Sequence, residues 1–191
     1  MVILGLGNPG KKYHNNRHNI GARVVEKLIK RAASINQRWK SRYFFAREIE
    51  LSSKCVIVVV SRTFMNESGK AALAICKKFN IKPGELFLIY DDINLEMGVL
   101  RIKKKGSSGG HKGVQSIIQA LGTEDIPRLK IGIGMPEPGN DLVRYVLSDF
   151  SSEEKNIVEQ MINEGATAIE MVLSQGIEKA ITQVNGKGNK I

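Results

Sequence analysis

Three short stretches, residues 2–6, 55–61 and 86–90, are apolar along almost their whole length and do not alternate with polar residues. A strand with one wet face alternates, whereas a short unbroken run of Val, Ile and Leu bounded by turn residues reads as a strand buried on both faces. Such strands require a sheet with helices packed against each side. The intervening sequence supplies those helices. Ile20, Val24, Leu28 and Ile29 recur at helical spacing and predict a helix over 20–33. Ala72, Ile75, Cys76 and Phe79 line one face of a second, entered through Thr63-Phe64-Met65-Asn66 and followed by the breaker Lys82-Pro83-Gly84. Val114, Ile117, Ile118 and Leu121 mark a third, stopped by Gly122.

Ser151-x-x-Glu154 is a capping box that opens a long helix with Val158, Met161, Ile162, Ile169 and Val172 on its apolar face, and a last helix covers 177–184. Further strands are expected at 43–50, 99–103 and 129–133. Ser52-Ser53-Lys54 reads as a hairpin connection, which makes the sheet mixed rather than all parallel. The expected fold class is therefore α/β, a single domain with a twisted mixed β-sheet flanked by helices on both faces.

The length of 191 residues suits one domain over 1–191, with a Gly/Lys-rich tail from about 185 expected to be flexible. Cys55 and Cys76 are too few and too isolated for a disulfide framework, which points to a reduced, cytosolic setting. No signal peptide is read at the N-terminus, and no apolar run reaches the length of a bilayer span. Charge is the unusual property: 29 Lys and Arg against 19 Asp and Glu give a net +10, which favours a polyanionic partner such as nucleic acid.

Gly5-Leu6-Gly7-Asn8-Pro9-Gly10 matches the dinucleotide fingerprint G-x-G-x-x-G, but the third glycine does not open a helix and no acidic residue lies in 32–40. The same stretch nearly spells a P-loop, yet Lys12 stands where the magnesium-binding hydroxyl belongs. Gly106-Ser107-Ser108-Gly109-Gly110 fits a nucleophile elbow, but the only later histidine, His111, is too near to serve Ser108, so a flexible loop is expected. His14 and His18 lie four apart in a loop without a third convergent ligand, so no metal site is assigned.

In open α/β sheets the carboxyl ends of the strands gather into the ligand crevice. By that rule Asn8, His18, Asn66, Asp91 and His111 converge, a set that suits a water-activating hydrolase. Arg101, Lys103 and Lys105 share one strand face; with Lys130 nearby, and with Lys104, Lys112 and Arg128 in the same basic run, they are read as a phosphate track.

Together these residues resemble the bacterial-type peptidyl-tRNA hydrolase family. The resemblance lies in Gly5 to Gly10 with Tyr13 and Arg17-His18-Asn19, in Thr63-Phe64-Met65-Asn66-x-Ser68-Gly69, in Asp91-Asp92, in Gly109-Gly110-His111, and in the stretch from Arg128 to Gly134. It implies a cytosolic, monomeric, cofactor-free esterase that cleaves the ester between a peptide and the 3′-terminal ribose of tRNA. It assigns His18 as general base, Asp91 as its hydrogen-bond partner, and Asn8 as the residue that orients the site and helps reject a free α-amino group. Tyr13, Phe64 and Asn66 would line the substrate site, with His111 near the peptide and Lys103 and Lys130 at the tRNA 5′-phosphate.

The family usually carries Asn after the histidine of the fourth motif, where this chain has Lys112. A donor-and-acceptor amide becomes a donor-only cation, so contacts around His111 are expected to be altered. Histidine titrates near neutrality, which suits a base acting on an ester. Two other readings remain open: a non-enzymatic RNA-binding protein on the same scaffold, like the plant organellar splicing factors that resemble these hydrolases, and a nucleotide-dependent enzyme.

Overall fold

The three unbroken apolar runs form adjacent strands at the middle of one sheet. The computed structural model describes residues 1–186. Its strands are β1 (Val2–Gly5), β2 (Ser34–Lys40), β3 (Phe44–Leu51), β4 (Lys54–Ser61), β5 (Leu86–Asp92), β6 (Leu100–Lys103) and β7 (Arg128–Gly132), in the spatial order β2-β3-β4-β1-β5-β7-β6. β1 runs parallel to β4 and β5, and β5 parallel to β7; the hairpin partners β2–β3, β3–β4 and β6–β7 are antiparallel. The mixed sheet expected from the hairpin is present.

Side-chain alternation divides the core into two layers. Ile3, Phe87, Ile89, Leu129 and Ile131 face α1 (Ile20–Arg31), α5 (Lys155–Gln175) and α6 (Ile177–Gly186). Val2, Leu4, Leu86 and Leu88 face α2 (Ser68–Phe79) and α3 (Lys112–Leu121). Gly122, at φ 69° in the left-handed region, ends α3 as its type predicts. Ser52 and Ser53 both have positive φ, so the β3–β4 hairpin closes through a two-residue turn of the I′ kind.

Two elements were not expected from the sequence. β2 is an edge strand paired only to β3, and α4 (Leu142–Val146) is a five-residue helix capped by the Asp141 side chain. At the other end of the chain, Asn185 lies within α6, and its amide both accepts from Ile102 N–H and donates to Ile102 C=O. The remainder of the expected flexible tail, 187–191, lies outside the described residues.

The first turn of α1 sits directly on the end of β1. A Cβ on Gly5 would meet the Gly21 carbonyl oxygen at 2.4 Å, and one on Gly21 would meet the Ile89 carbonyl oxygen at 2.1 Å. Only glycine allows this approach, and it lets Ala22 N–H donate to Leu6 C=O at 3.0 Å. The loop between β1 and α1 is thereby folded back over the strand ends, carrying Asn8 and His18 with it.

Candidate active site

His18 lies in a single 3-10 turn, Arg17–Asn19, that runs straight into α1. Its Nδ1–H donates to both carboxylate oxygens of Asp91, at 2.8 and 2.9 Å. Asp91 is the penultimate residue of β5 and is 1% exposed. Its Oδ1 also accepts from His111 Nε2–H at 3.1 Å, so one carboxylate holds two imidazoles whose ring centres are 4.8 Å apart. Burial pushes the Asp91 carboxyl up. His18 and His111, as cations and as hydrogen-bond donors, outweigh that and hold it well below the usual carboxylate range.

The second nitrogen of each ring has a different fate. His111 caps α3, where its Nδ1 accepts from Val114 N–H at 3.2 Å, so in the neutral ring the proton belongs on Nε2. His18 Nε2 makes no hydrogen bond to the described residues, and with Nδ1 carrying the proton it presents a lone pair. Tyr90 packs edge-on against His111 at 4.8 Å. Burial, opposed by nearby Arg128, pushes its phenol up to about 12, so it stays neutral.

Asn8 is fixed from three sides. Its N–H donates to Asn19 Oδ1 at 2.9 Å, its carbonyl accepts from Asn19 Nδ2 at 3.0 Å, and its side-chain oxygen accepts from Met65 N–H at 2.8 Å. With the oxygen turned to Met65 N–H, the amide N–H donors are the part of the side chain left unengaged. Asn66, in the turn Met65–Glu67 that precedes α2, is exposed, and its neighbour Phe64 is 52% exposed. Tyr13, from the β1–α1 loop, meets Phe64 edge-to-face at 6.3 Å. Lys112 is exposed at the first turn of α3.

The sequence-predicted residues thus fall into two groups. Asn8, His18, Asn66, Asp91 and His111, with Tyr13 and Phe64, lie on the loops and turns at the carboxyl ends of β1, β4 and β5 and ahead of α3. Lys103 and Lys130 lie on β6 and β7, where Arg101 pairs with Lys130 and Lys103 with Arg128. Lys103 is exposed, but Lys130 forms a close ion pair with Asp92. Arg128 does not belong to the basic track. It is 1% exposed and donates to the carbonyls of Ile126, Ser107 and Glu124.

A supporting network escaped the sequence reading. Arg17 donates from Nη2 to both carboxylate oxygens of Glu154 at 2.8 Å and from Nη1 to Asp149 C=O, and lies between the Tyr145 and Phe150 rings at 4.5 and 4.8 Å. The capping box gave half of the signal for Glu154: Ser151 and Glu154 do exchange backbone–side-chain bonds. The carboxylate's second task depends on tertiary contact alone.

His18, Asp91 and His111 each offer one ligand atom within 4.8 Å of the others, a donor set that a transition ion could use. The Asp91 carboxylate already pairs with both rings by hydrogen bonds. No helix among the described residues is long and apolar enough to cross a membrane.

Fold and site together define an α/β protein with a carboxylate-bridged pair of imidazoles at the ends of its central strands, equipped for proton transfer. The chain belongs to the peptidyl-tRNA hydrolase family, whose sequence profile matches residues 2–191. It is 43% identical over 184 residues to the peptidyl-tRNA hydrolase of Sulfurihydrogenibium sp., covering 96% of each chain. It is 39% identical to that of Aquifex aeolicus, covering 96% of this chain and 95% of the other. The crystal structure of peptidyl-tRNA hydrolase from Acinetobacter baumannii superposes with a TM-score of 0.87 at 27% identity, covering 96% of this chain and 93% of that one.

Proposed function

We propose that this protein hydrolyses the ester between a peptide and the 3′-terminal ribose of tRNA, recycling peptidyl-tRNA released before translation is complete. The observation that carries the mechanism is the arrangement of His18, with Nδ1 held by Asp91 and Nε2 unengaged. Nε2 takes a proton from water, and the resulting hydroxide attacks the ester carbonyl. Asp91 stabilises the imidazolium as it forms and keeps the ring in the productive tautomer. The tetrahedral intermediate collapses with loss of the ribose oxygen, which recovers the proton from His18. No covalent enzyme intermediate is required, because the alkoxide leaving group is good and water is already activated.

Asn66, with backbone N–H groups at the start of α2, is assigned to the developing oxyanion. Asn8 selects the substrate. Its side-chain acceptor is committed to Met65, so it offers donors. The carbonyl of an acylated amine accepts from them, whereas a free α-ammonium brings only more donors and is rejected. Tyr13 and Phe64 line the path of the substrate, His111 and Lys112 lie towards the peptide, and Lys103 and Lys130 meet the 5′-phosphate. On this reading the protein works in the cytoplasm as a monomer on the acceptor stem and 3′ end of tRNA, without a cofactor or an obligate protein partner.

The test is hydrolysis of N-acetyl-aminoacyl-tRNA beside the unblocked aminoacyl-tRNA. The wild type should cleave the first and spare the second. His18→Ala should lower turnover about 10³-fold or more with tRNA affinity kept. Full activity in that variant defeats the mechanism, and an inactive wild type defeats the function.

A further inference from the structure

The sheet extends beyond its helices at the β2 end. β3 turns Phe44 and Ala46 into the core and Phe45 and Arg47 to the other face, where Phe45 is 45% exposed. Register places Lys40 opposite Phe45 and Arg38 opposite Arg47 on that same face. Arg62, just past β4, lies over the Phe45 ring at 4.4 Å, and the Lys40 ammonium is 5.9 Å from its centre. Two adjoining concavities of about 640 and 700 Å³ share Glu26, Phe45 and Val60 in their walls; the first adds Lys11 and Arg62, the second Arg38, Lys40 and Arg47.

Among the described residues, none of those five cations has a carboxylate partner. Glu26 is the only acid lining either concavity, and His14 occupies it at 3.1 Å. Like charges directly opposite on neighbouring strands repel each other. The arrangement is favourable once a polyanion lies along it. An exposed aromatic face among cations adds a preference, because nucleobases stack on such a ring while phosphates meet the charges.

We propose that this groove is a second nucleic-acid site, separate from the Lys103 and Lys130 region, and that it takes a short single-stranded RNA segment with a base on Phe45 and phosphates on Arg47, Arg62 and Lys40. The strand order puts the two basic regions at opposite edges of the sheet.

Trp39, between Arg38 and Lys40 on β2, turns to the opposite face and packs on Phe79 of α2, so occupancy of the groove is followed with labelled RNA. The experiment titrates the whole protein with a labelled, unstructured oligouridylate of about eight nucleotides, followed by anisotropy, and separately with inorganic polyphosphate, followed by its displacement of the labelled RNA. Phe45→Ala is expected to weaken RNA binding about tenfold and leave polyphosphate binding within about twofold. Arg62→Gln and Arg47→Gln should weaken both ligands and flatten the salt dependence. Lys103→Ala should leave oligouridylate affinity within about twofold. Melting curves establish that the variants are folded. RNA affinity unaffected by Phe45→Ala, or loss of oligouridylate binding in Lys103→Ala alone, would overturn the proposal.

Discussion

Arg17 and His18 are adjacent in sequence and nearly equally buried, at 7% and 8% exposure, yet the structure uses them in opposite ways. Arg17 spends its terminal nitrogens on the protein: Glu154, Asp149 C=O and Ser148 Oγ, between two aromatic rings. His18 gives one nitrogen to Asp91 and keeps the other unengaged. Burial of a polar side chain therefore says little about its task. On the proposed mechanism, what separates a clamp from a catalytic group is the hydrogen-bonding capacity left over after the protein's own contacts are made.

The largest effect after removal of His18 is expected at the carboxylate that orients it. Asp91→Asn should reduce turnover about 10²- to 10⁴-fold, because the neutral amide no longer stabilises the imidazolium and puts an NH2 donor where Oδ1 or Oδ2 accepts from a ring N–H. The loss should appear in kcat with tRNA affinity retained. Asp91 also predicts a pH dependence. Its carboxyl is held well below the usual range, so it is ionised at neutral pH. A carboxyl whose folded-state pKa is depressed stabilises the fold above the unfolded value, about 3.9, and loses that contribution as pH falls further. The wild type should accordingly lose more stability than Asp91→Asn on acidification below about pH 4, as measured by denaturant unfolding. Turnover within tenfold of wild type would mean that Asp91 does not orient the base.

The clamp should fail differently. Arg17→Met removes one partner of a mostly buried ion pair and leaves Glu154, whose side chain is 20% exposed, partly hydrated. That exposure reduces the cost to about 2–4 kcal/mol, from the 3–5 typical of a fully buried pair. The melting temperature should fall, while turnover per folded molecule at low temperature stays within about tenfold. Lost turnover at an unchanged melting temperature would show that Arg17 acts on substrate and would erase the contrast with His18.

The same distinction explains what the sequence made legible. The centre of the sheet could be read because unbroken apolar runs need burial on both faces, and β4, β1 and β5 lie side by side. β2, Ser-Ile-Asn-Gln-Arg-Trp-Lys, could not: it is an exposed edge strand whose pairing with β3 replaces any apolar signal. His18, Asp91 and His111 were legible as candidates because strand ends collect functional groups. That one carboxylate would hold both rings was not, nor was the Arg17–Glu154 pair, whose partners are 137 residues apart. Arg128 misleads for a related reason. In a basic run it reads as surface charge, but three backbone carbonyls from neighbouring loops enclose its guanidinium.

The smallest expected effects carry the contrast to the basic edge. Lys103 is exposed on β6, while Lys130 is committed to Asp92. If leftover capacity decides function, Lys103 is the cation that meets phosphate in full. Lys103→Ala should lower the slope of log affinity against log salt for tRNA by about 0.9, the loss of one phosphate contact. Lys130 must divide itself between Asp92 and RNA, so Lys130→Ala should change that slope by less. It should also cost stability, because Asp92, 6% exposed, is left without its cation. Melting and salt titration on the two variants separate these outcomes. Equal slopes for both would show that the Asp92 pair opens when tRNA binds, and that the capacity of Lys130 must be counted in the complex rather than in the free protein.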